Sequence, residues 1–326
     1  MIKIWGTAFS LIGDLIMSLP QLNYYKSKYK DIYVTFVIHK KISYCAPLFF
    51  NHPLIDKIYI SGEWSSFNEQ DYNLASKCDI ITTNIDHVNK KIFDREHPEK
   101  NTWYNTRSCI EQNALVSGID NLNDYLSEKE KYPFLNKWFD EGFDLEQKKG
   151  AYTYKKKENK SNFTLTNSIS IWPFAGYGRS KNRNPDPKWW STLVDKFAQN
   201  KIHVYHFGYI NEPTLSTNAN YYHNLTHQDF FSQIKISLGT KMSLGTDSGS
   251  MWTLSAYSHP TLVLLTNWAQ DHNENYYAFN PINLNGDTIF LEGGFHELTV
   301  DQVFQKCLDK GVKKANQINR FINYLK

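Results

Sequence analysis

Several signatures of common nucleotide chemistry are missing from this 326-residue sequence. There is no GxxxxGK(S/T) loop and no GxGxxG fingerprint, which counts against a nucleoside triphosphatase and a typical NAD enzyme. No Asp-x-Asp pair of the kind that holds a metal with a sugar nucleotide occurs, so neither a metal nor another cofactor is expected. Cysteine is scarce. Cys45, Cys78, Cys109 and Cys307 are scattered without CxxC or Cys/His spacing, which argues against a zinc site or a disulfide framework and fits a reducing compartment. An excess of one charge is also lacking: 36 Lys and Arg face 33 Asp and Glu, a formal net charge of +3. With no arginine-rich or polybasic helix, no nucleic-acid partner is expected. Long apolar runs are absent as well; residues 8–20 are apolar but short and carry Asp14, which does not make a membrane span. The first residues enter a strand-like pattern without a cleavable signal, and a cytoplasmic location is expected.

What is present belongs to a globular protein, with 41% apolar and 21% charged residues, enough for two domains that each bury a core. The aromatic share of 15% suits sugar rings and equally suits core filling. The first half alternates strand-like and helix-like segments: strands at residues 2–5, 32–38, 55–60 and 79–82, and a helix at 14–28. Such alternation predicts a parallel sheet covered by helices. Around residues 147–162 the pattern lapses into Lys, Glu, Asn, Ser and Gly. The Lys155-Lys156-Lys157 run with Lys160 there reads as a solvated linker, with an electrostatic touch on an anionic membrane surface as the other reading. A domain boundary is placed in this stretch, giving domains 1–155 and 156–326. Alternation then resumes, with strands at 169–172, 202–207, 241–245 and 261–265, a helix at 188–199, and one or two amphipathic helices over 299–324, the last free to pack back on the first domain. The expected fold class is α/β, two Rossmann-like domains with parallel sheets facing a central cleft, since ligand sites in such sheets lie at the carboxyl ends of the strands.

Three segments carry chemistry. In the first, a loop leaves the opening strand and enters a helix at Gly13-Asp14. The Asp14 carboxylate suits a helix N-cap, worth about 1 kcal/mol, and equally a general base at the mouth of the cleft. In the second, a strand ends at Gly245 and Thr246-Asp247-Ser248-Gly249 opens the next helix. Free N–H groups at a helix start, with the positive end of its dipole, make a phosphate site; a capped turn satisfies the same residues. In the third, residues 172–190, a strand end leads into a glycine-bearing loop with Arg179, Lys181 and Arg183, then a Pro-initiated helix. A diphosphate leaving group needs cations because charge builds on it as the glycosidic bond breaks. A solvated basic loop is the alternative.

Together these segments resemble the heptosyltransferase-like family of GT-B glycosyltransferases, which includes the ADP-heptose:lipopolysaccharide transferases. The resemblance is carried by Ile12-Gly13-Asp14-Leu15 through Leu19-Pro20, Asn51-His52-Pro53-Leu54-Ile55-Asp56, Asp229-Phe230-Phe231-Ser232-Gln233-Ile234, Gly245-Thr246-Asp247-Ser248-Gly249, and the loop and helix between Pro173 and Trp190. It implies a GT-B fold and an inverting, metal-independent single displacement from a nucleotide-diphosphate sugar to a glycan or glycolipid acceptor, such as lipopolysaccharide or capsule. Asp14 would be the general base, on the acceptor loop with Gly13. Thr246, Asp247, Ser248 and Gly249 would lie near the donor phosphates. Arg183, ahead of Lys181 and Arg179, would neutralise the leaving diphosphate, and Gly208 and Glu212 would meet the nucleoside. Peripheral contact with the inner face of the membrane is compatible with this reading. Trp252 departs from the family, which carries His at that place. Two alternatives keep the fold: a sugar-nucleotide epimerase, and a binding module without catalysis, against which the intact Asp14, Arg183 and Asp247 speak.

Overall fold

The computed structural model of the chain describes residues 1–8, 12–50, 52–61, 69–82, 114, 117–120, 124–125, 143–148, 151–156, 165, 167–175, 184–257, 259–265, 286–290 and 298–312. The chain divides into two compact units. One is Met1–Lys160 with Ser255–Ser258 and Ala269–Asn285; the other is Ser161–Leu254 with His259–Trp268 and Gly286–Lys326.

The first unit opens with β1 (Ile2–Ala8), α1 (Ile12–Lys28) and β2 (Ile32–His39). A 3-10 segment, Lys40–Phe49, then leads through β3 (Lys57–Ser61) and α2 (Glu69–Ala75) to β4 (Ile80–Thr82). The strands form one parallel sheet in the order β3-β2-β1-β4. A continuous β-branched and aromatic run makes β2 a strand buried on both faces, as central parallel strands are; six of its eight residues are buried. Every residue of α1 from Ile12 to Leu22 is buried, so this half of the helix is covered all round. The helix lies close on β1: a Cβ at Gly6 would stand 3.2 Å from Leu22 Cδ2. Burial of Ile4, Leu15, Ile16, Leu19, Phe36 and Ile38 contributes about 1.5–3 kcal/mol each.

The residues from His52 to Asp56, part of the run that carries the family resemblance, fasten this unit. Asp56 Oδ2 accepts from Val34 N at 2.7 Å and lies 3.4 Å from Lys26 Nζ. Lys26 also donates to Pro53 O, and His52 Nδ1 accepts from Leu54 N. These bonds tie the end of α1, the start of β2 and the approach to β3.

Two strands occupy the stretch expected as a solvated linker. β5 (Phe143–Lys148) and β6 (Ala151–Lys156) pair antiparallel, from Phe143↔Lys156 to Lys148↔Ala151. Lys155 and Lys156 therefore belong to a strand. The reason is physical: two polar segments adjacent in sequence satisfy each other's N–H and C=O groups at small loop-closure cost, without a large apolar face.

The second unit contains β7 (Ser168–Trp172), α3 (Pro187–Gln199), β8 (His203–His206), β9 (Tyr222–Asn224), α4 (Phe230–Gly239), β10 (Met242–Thr246), α5 (Gly249–Ala256, as far as Leu254), β11 (Thr261–Leu265), β12 (Gly286–Phe290) and α6 (Val300–Asp309). Its sheet is parallel, in the order β12-β11-β10-β7-β8-β9. The first strand is central, later strands are added on one side and then the other, and the direction reverses between β7 and β10. That reversal is where doubly wound sheets hold ligands. The core packs Ile169, Ile171, Val204 and Leu244 against Trp190 and Phe197 of α3 and Phe304 of α6. Helix starts follow local capping chemistry. Asp186 caps α3 by accepting from Lys188 N, with Pro187 at the first turn. Asp229 caps α4, and Thr299 forms a capping box with Gln302 at α6. The further helix expected towards residue 324 lies outside the described residues. Among the described residues no helix is long and apolar enough to cross a membrane. Cys45, Cys78 and Cys307 are free thiols, and Cys109 lies outside the described residues.

Candidate functional site

Asp14 follows the carboxyl end of β1 and stands in the first turn of α1, which begins at Ile12. It is thus the third residue of the helix rather than the N-cap considered from sequence, with Gly13 before it. A carboxylate in a first turn is favoured by the helix dipole. The residue is only 7% exposed.

In the second unit, Thr246, Asp247, Ser248 and Gly249 carry the chain from β10 into α5. This corner is tight: Gly245 is registered with Trp172 of β7, and a Cβ there would stand 2.7 Å from Trp172 O and 2.8 Å from Met251 Sδ. Only glycine lets β7, β10 and α5 converge. Ser248 Oγ faces Met251 N at 3.5 Å, the relation of an N-cap to its helix. Gly249 and Ser250 are half-buried, and N–H groups at the first helical positions have no acceptor within their helix. Among the described residues the buried Thr246 hydroxyl has no hydrogen-bond partner, a state that costs about 1–3 kcal/mol unless a ligand relieves it. Trp252, on the first turns of α5, donates its indole N–H to Asp247 Oδ1 at 3.0 Å. The residue that departs from the family therefore orients Asp247.

Arg179, Lys181 and Arg183 lie outside the described residues, but both ends of their segment are described. Ala175 N donates to Asn184 Oδ1 at 2.7 Å, closing the segment at its base beside the carboxyl end of β7. Asn184 was not singled out in the sequence; an Asn ahead of Pro185 is a turn signal that could have found it.

After β8 the chain makes a turn through Gly208 and Glu212. Glu212 is buried, with both carboxylate oxygens engaged: Oε1 accepts from Tyr209 N at 2.9 Å, and Oε2 pairs with His206 Nε2 at 3.2 Å. His206 Nδ1 lies 2.8 Å from Tyr222 OH, which accepts from Leu215 N. Tyr222 OH, already accepting from Leu215 N, has its proton to give to His206 Nδ1, which leaves a proton on Nε2 for Glu212. Burial, with the Glu212 charge adding to it, pushes the Tyr222 phenol up to about 12. The carboxylate expected beside a ribose thus also anchors its own loop. Gly208 adopts φ +151°, and a Cβ there would come within 2.1–2.4 Å of the Glu212 carboxylate. Gln233 of α4 clamps Gly208 from both sides, accepting from its N at 2.9 Å and donating to its O at 3.1 Å. His206 and Tyr222 carry no motif of their own, and local spacing does not reveal them; Gln233 lies in the run from Asp229 to Ile234 that carries part of the resemblance, but its hold on Gly208 is a tertiary contact.

Among the described residues no group of three or more His, Cys, Asp or Glu could hold a metal ion. The described donors at the β7–β10 edge are hydroxyls and backbone N–H groups, which suit an anion.

No protein-family model and no curated protein sequence matches the chain. Solved structures do. The ADP-heptose lps heptosyltransferase II of E. coli matches at a TM-score of 0.61 and 12% identity, covering 95% of this chain and 98% of that one. A glycosyl transferase family 9 structure from Veillonella parvula matches at 0.62 and 12%, covering 95% and 97%. The E. coli heptosyltransferase WaaC with ADP matches at 0.56 and 11%, covering 95% and 100%. The fold is α/β and heptosyltransferase-like GT-B.

Proposed function

We propose that this chain is an inverting glycosyltransferase that moves a sugar, a heptose or another hexose-type sugar, from a nucleotide-diphosphate donor to a hydroxyl of a surface glycan such as lipopolysaccharide or capsule. The observation that carries the reading is the corner at the strand-order reversal of the second sheet, where β10 delivers Thr246 to Gly249 into the start of α5 beside the end of β7. The site is suited to a diphosphate by its half-buried helix start, its unpartnered buried Thr246 hydroxyl and the three cations that follow β7 in sequence.

In this mechanism Asp14 takes the proton from the acceptor hydroxyl as that oxygen attacks the anomeric carbon. The bond from the anomeric carbon to the diphosphate oxygen breaks on the opposite face, so configuration inverts. The electron pair leaves with the diphosphate, whose growing charge is met by Arg183, Lys181 and Arg179 and by the N–H groups at the start of α5. Cations of the chain, rather than a metal ion, are assigned to the leaving group, and no cofactor takes part beyond the sugar nucleotide. Gly208 and Glu212 shape the nucleoside end. Acceptors of this class place the enzyme in the cytoplasm, with peripheral contact at the inner face of the membrane.

The test is a thermal-shift screen of the full chain against ADP, GDP, UDP and CMP, with and without their sugar conjugates. A ligand at 100 times its dissociation constant stabilises by about 2.7 kcal/mol. A selective rise in melting temperature with one nucleotide supports the reading and names the donor class. No shift with any of them would overturn it.

A further inference from the structure

The corner proposed to meet the donor diphosphate carries an acid of its own. Asp247 is half-buried and immediately precedes Ser248, the cap residue of α5. Two properties of a helix start make such a residue a competitor for an anion. The N–H groups and the dipole attract any nearby carboxylate, and an Asp side chain readily accepts from the backbone N–H two residues on. For Asp247 that N–H belongs to Gly249, the first residue of α5 and one of the donors assigned to the phosphates.

The bond from Trp252 acts against this competition. Its indole N–H donates to Asp247 Oδ1 at 3.0 Å, and the ring that donates it is packed in place, only 5% exposed on the fourth residue of the helix. Side chains of a helix lean back along its flank towards the N-terminus. The indole therefore draws the carboxylate oxygen to the side of the first turn instead of across its end. On the strand side of the same corner, the Thr246 hydroxyl is 1% exposed and has no partner among the described residues. The acid at this corner thus leaves a buried polar group next to it for a ligand to meet.

We infer that Trp252 is a positioning residue that holds Asp247 off the anion site, so that a diphosphate rather than the chain's own carboxylate meets the start of α5. This inference rests on the proposed sugar-nucleotide reading and deepens it. Phenylalanine at position 252 would keep an aromatic ring against the helix and donate nothing, which separates the bond from the packing. Removal of the carboxylate itself separates the restraint from the shape of the corner, because a restraint matters only while there is an acid to restrain.

The experiment titrates the full-length protein, and its Trp252→Phe, Asp247→Ala and doubly substituted variants, with inorganic pyrophosphate, ADP, GDP and UDP. Trp252→Phe should lose roughly 10-fold in affinity for pyrophosphate and for the nucleotide, the weight of one competing hydrogen bond to a charged group. Asp247→Ala should bind both more tightly than the parent, because a like charge has left the neighbourhood. The double variant should match Asp247→Ala, a recovery that a merely structural role for Trp252 would not produce. A double variant as weak as Trp252→Phe would overturn the inference, and so would a Trp252→Phe protein that binds like the parent. Should Trp252→Phe not fold, Asp247→Ala decides by itself: tighter pyrophosphate binding supports the restraint and weaker binding overturns it. All of these outcomes leave the transferase reading intact, whereas a parent that binds none of the nucleotides would remove that reading and this inference with it.

Discussion

The indole N–H of Trp252 donates to the Asp247 carboxylate at 3.0 Å, five residues back and across the start of α5. Hydrogen bonds to charged groups contribute about 1.5–3 kcal/mol, so Trp252→Phe should lower the unfolding free energy by about that much. Asp247→Asn keeps an acceptor oxygen and should cost less. Urea unfolding of the two variants checks the order, and a Trp252→Phe protein as stable as the parent would remove the bond from the account.

Asp14 sits in the first turn of α1 and is nearly buried. Removing a positioned general base costs about 10²–10⁴-fold in rate. Asp14→Asn, close in size, should therefore lose turnover on that scale while nucleotide binding stays near that of the parent. Binding and product formation measured on one preparation separate the two effects. Wild-type turnover in this variant would end the assignment of Asp14 as the base.

Gly208 and Gly118 make a controlled pair. Both have positive φ, +151° and +77°, but a Cβ at Gly208 meets the Glu212 carboxylate, whereas one at Gly118 meets nothing within 4 Å among the described residues. Gly118→Ala should cost only backbone strain, about 1–2 kcal/mol. Gly208→Ala must also displace the buried Glu212 from Tyr209 N and His206, adding about 1–3 kcal/mol. Thermal melts of the two variants should differ in that order; equal losses would show that Glu212 moves aside freely.

Stability should fall in mild acid. Burial pulls His259 down to about 4, and burial does the same for His52, with Lys26 adding, and for His223, with His203 adding. These rings stay neutral in the folded chain while the unfolded chain takes up protons below about pH 6.5. The contribution is complete above pH 6.5 and is lost as pH falls towards 4, roughly 3 kcal/mol for the nearly fully buried His259. Urea midpoints at pH 7 and pH 4.5 should show the decline, and His259→Phe should flatten it. Parallel slopes for parent and variant would contradict the assignment.

The legible part of this protein is local. The apolar runs of β2 and β7, the Asp186-Pro187 entry to α3 and the alternation of strands and helices are written in neighbouring residues, because side-chain period and capping act over a few positions. Asp14 and the Thr246 to Gly249 turn are readable for the same reason: a strand end followed by a helix start is a local pattern. The polar hairpin of β5 and β6 is less legible, because its stability comes from pairing rather than from an apolar period.

Strand order is decided elsewhere. Nothing near Trp172 announces that Gly245, 73 residues later, will register beside it, yet that pairing creates the reversal point of the second sheet. Burial of Glu212 against His206 and Tyr222, and the bond from Trp252 to Asp247, likewise arise only after packing has brought the groups together. Composition and periodicity thus determined an α/β chain with parallel sheets and named the strand ends where chemistry could sit. The tertiary structure decided which ends are neighbours and which polar groups hold one another, because close packing and the demand that buried polar atoms find partners act between residues far apart in sequence.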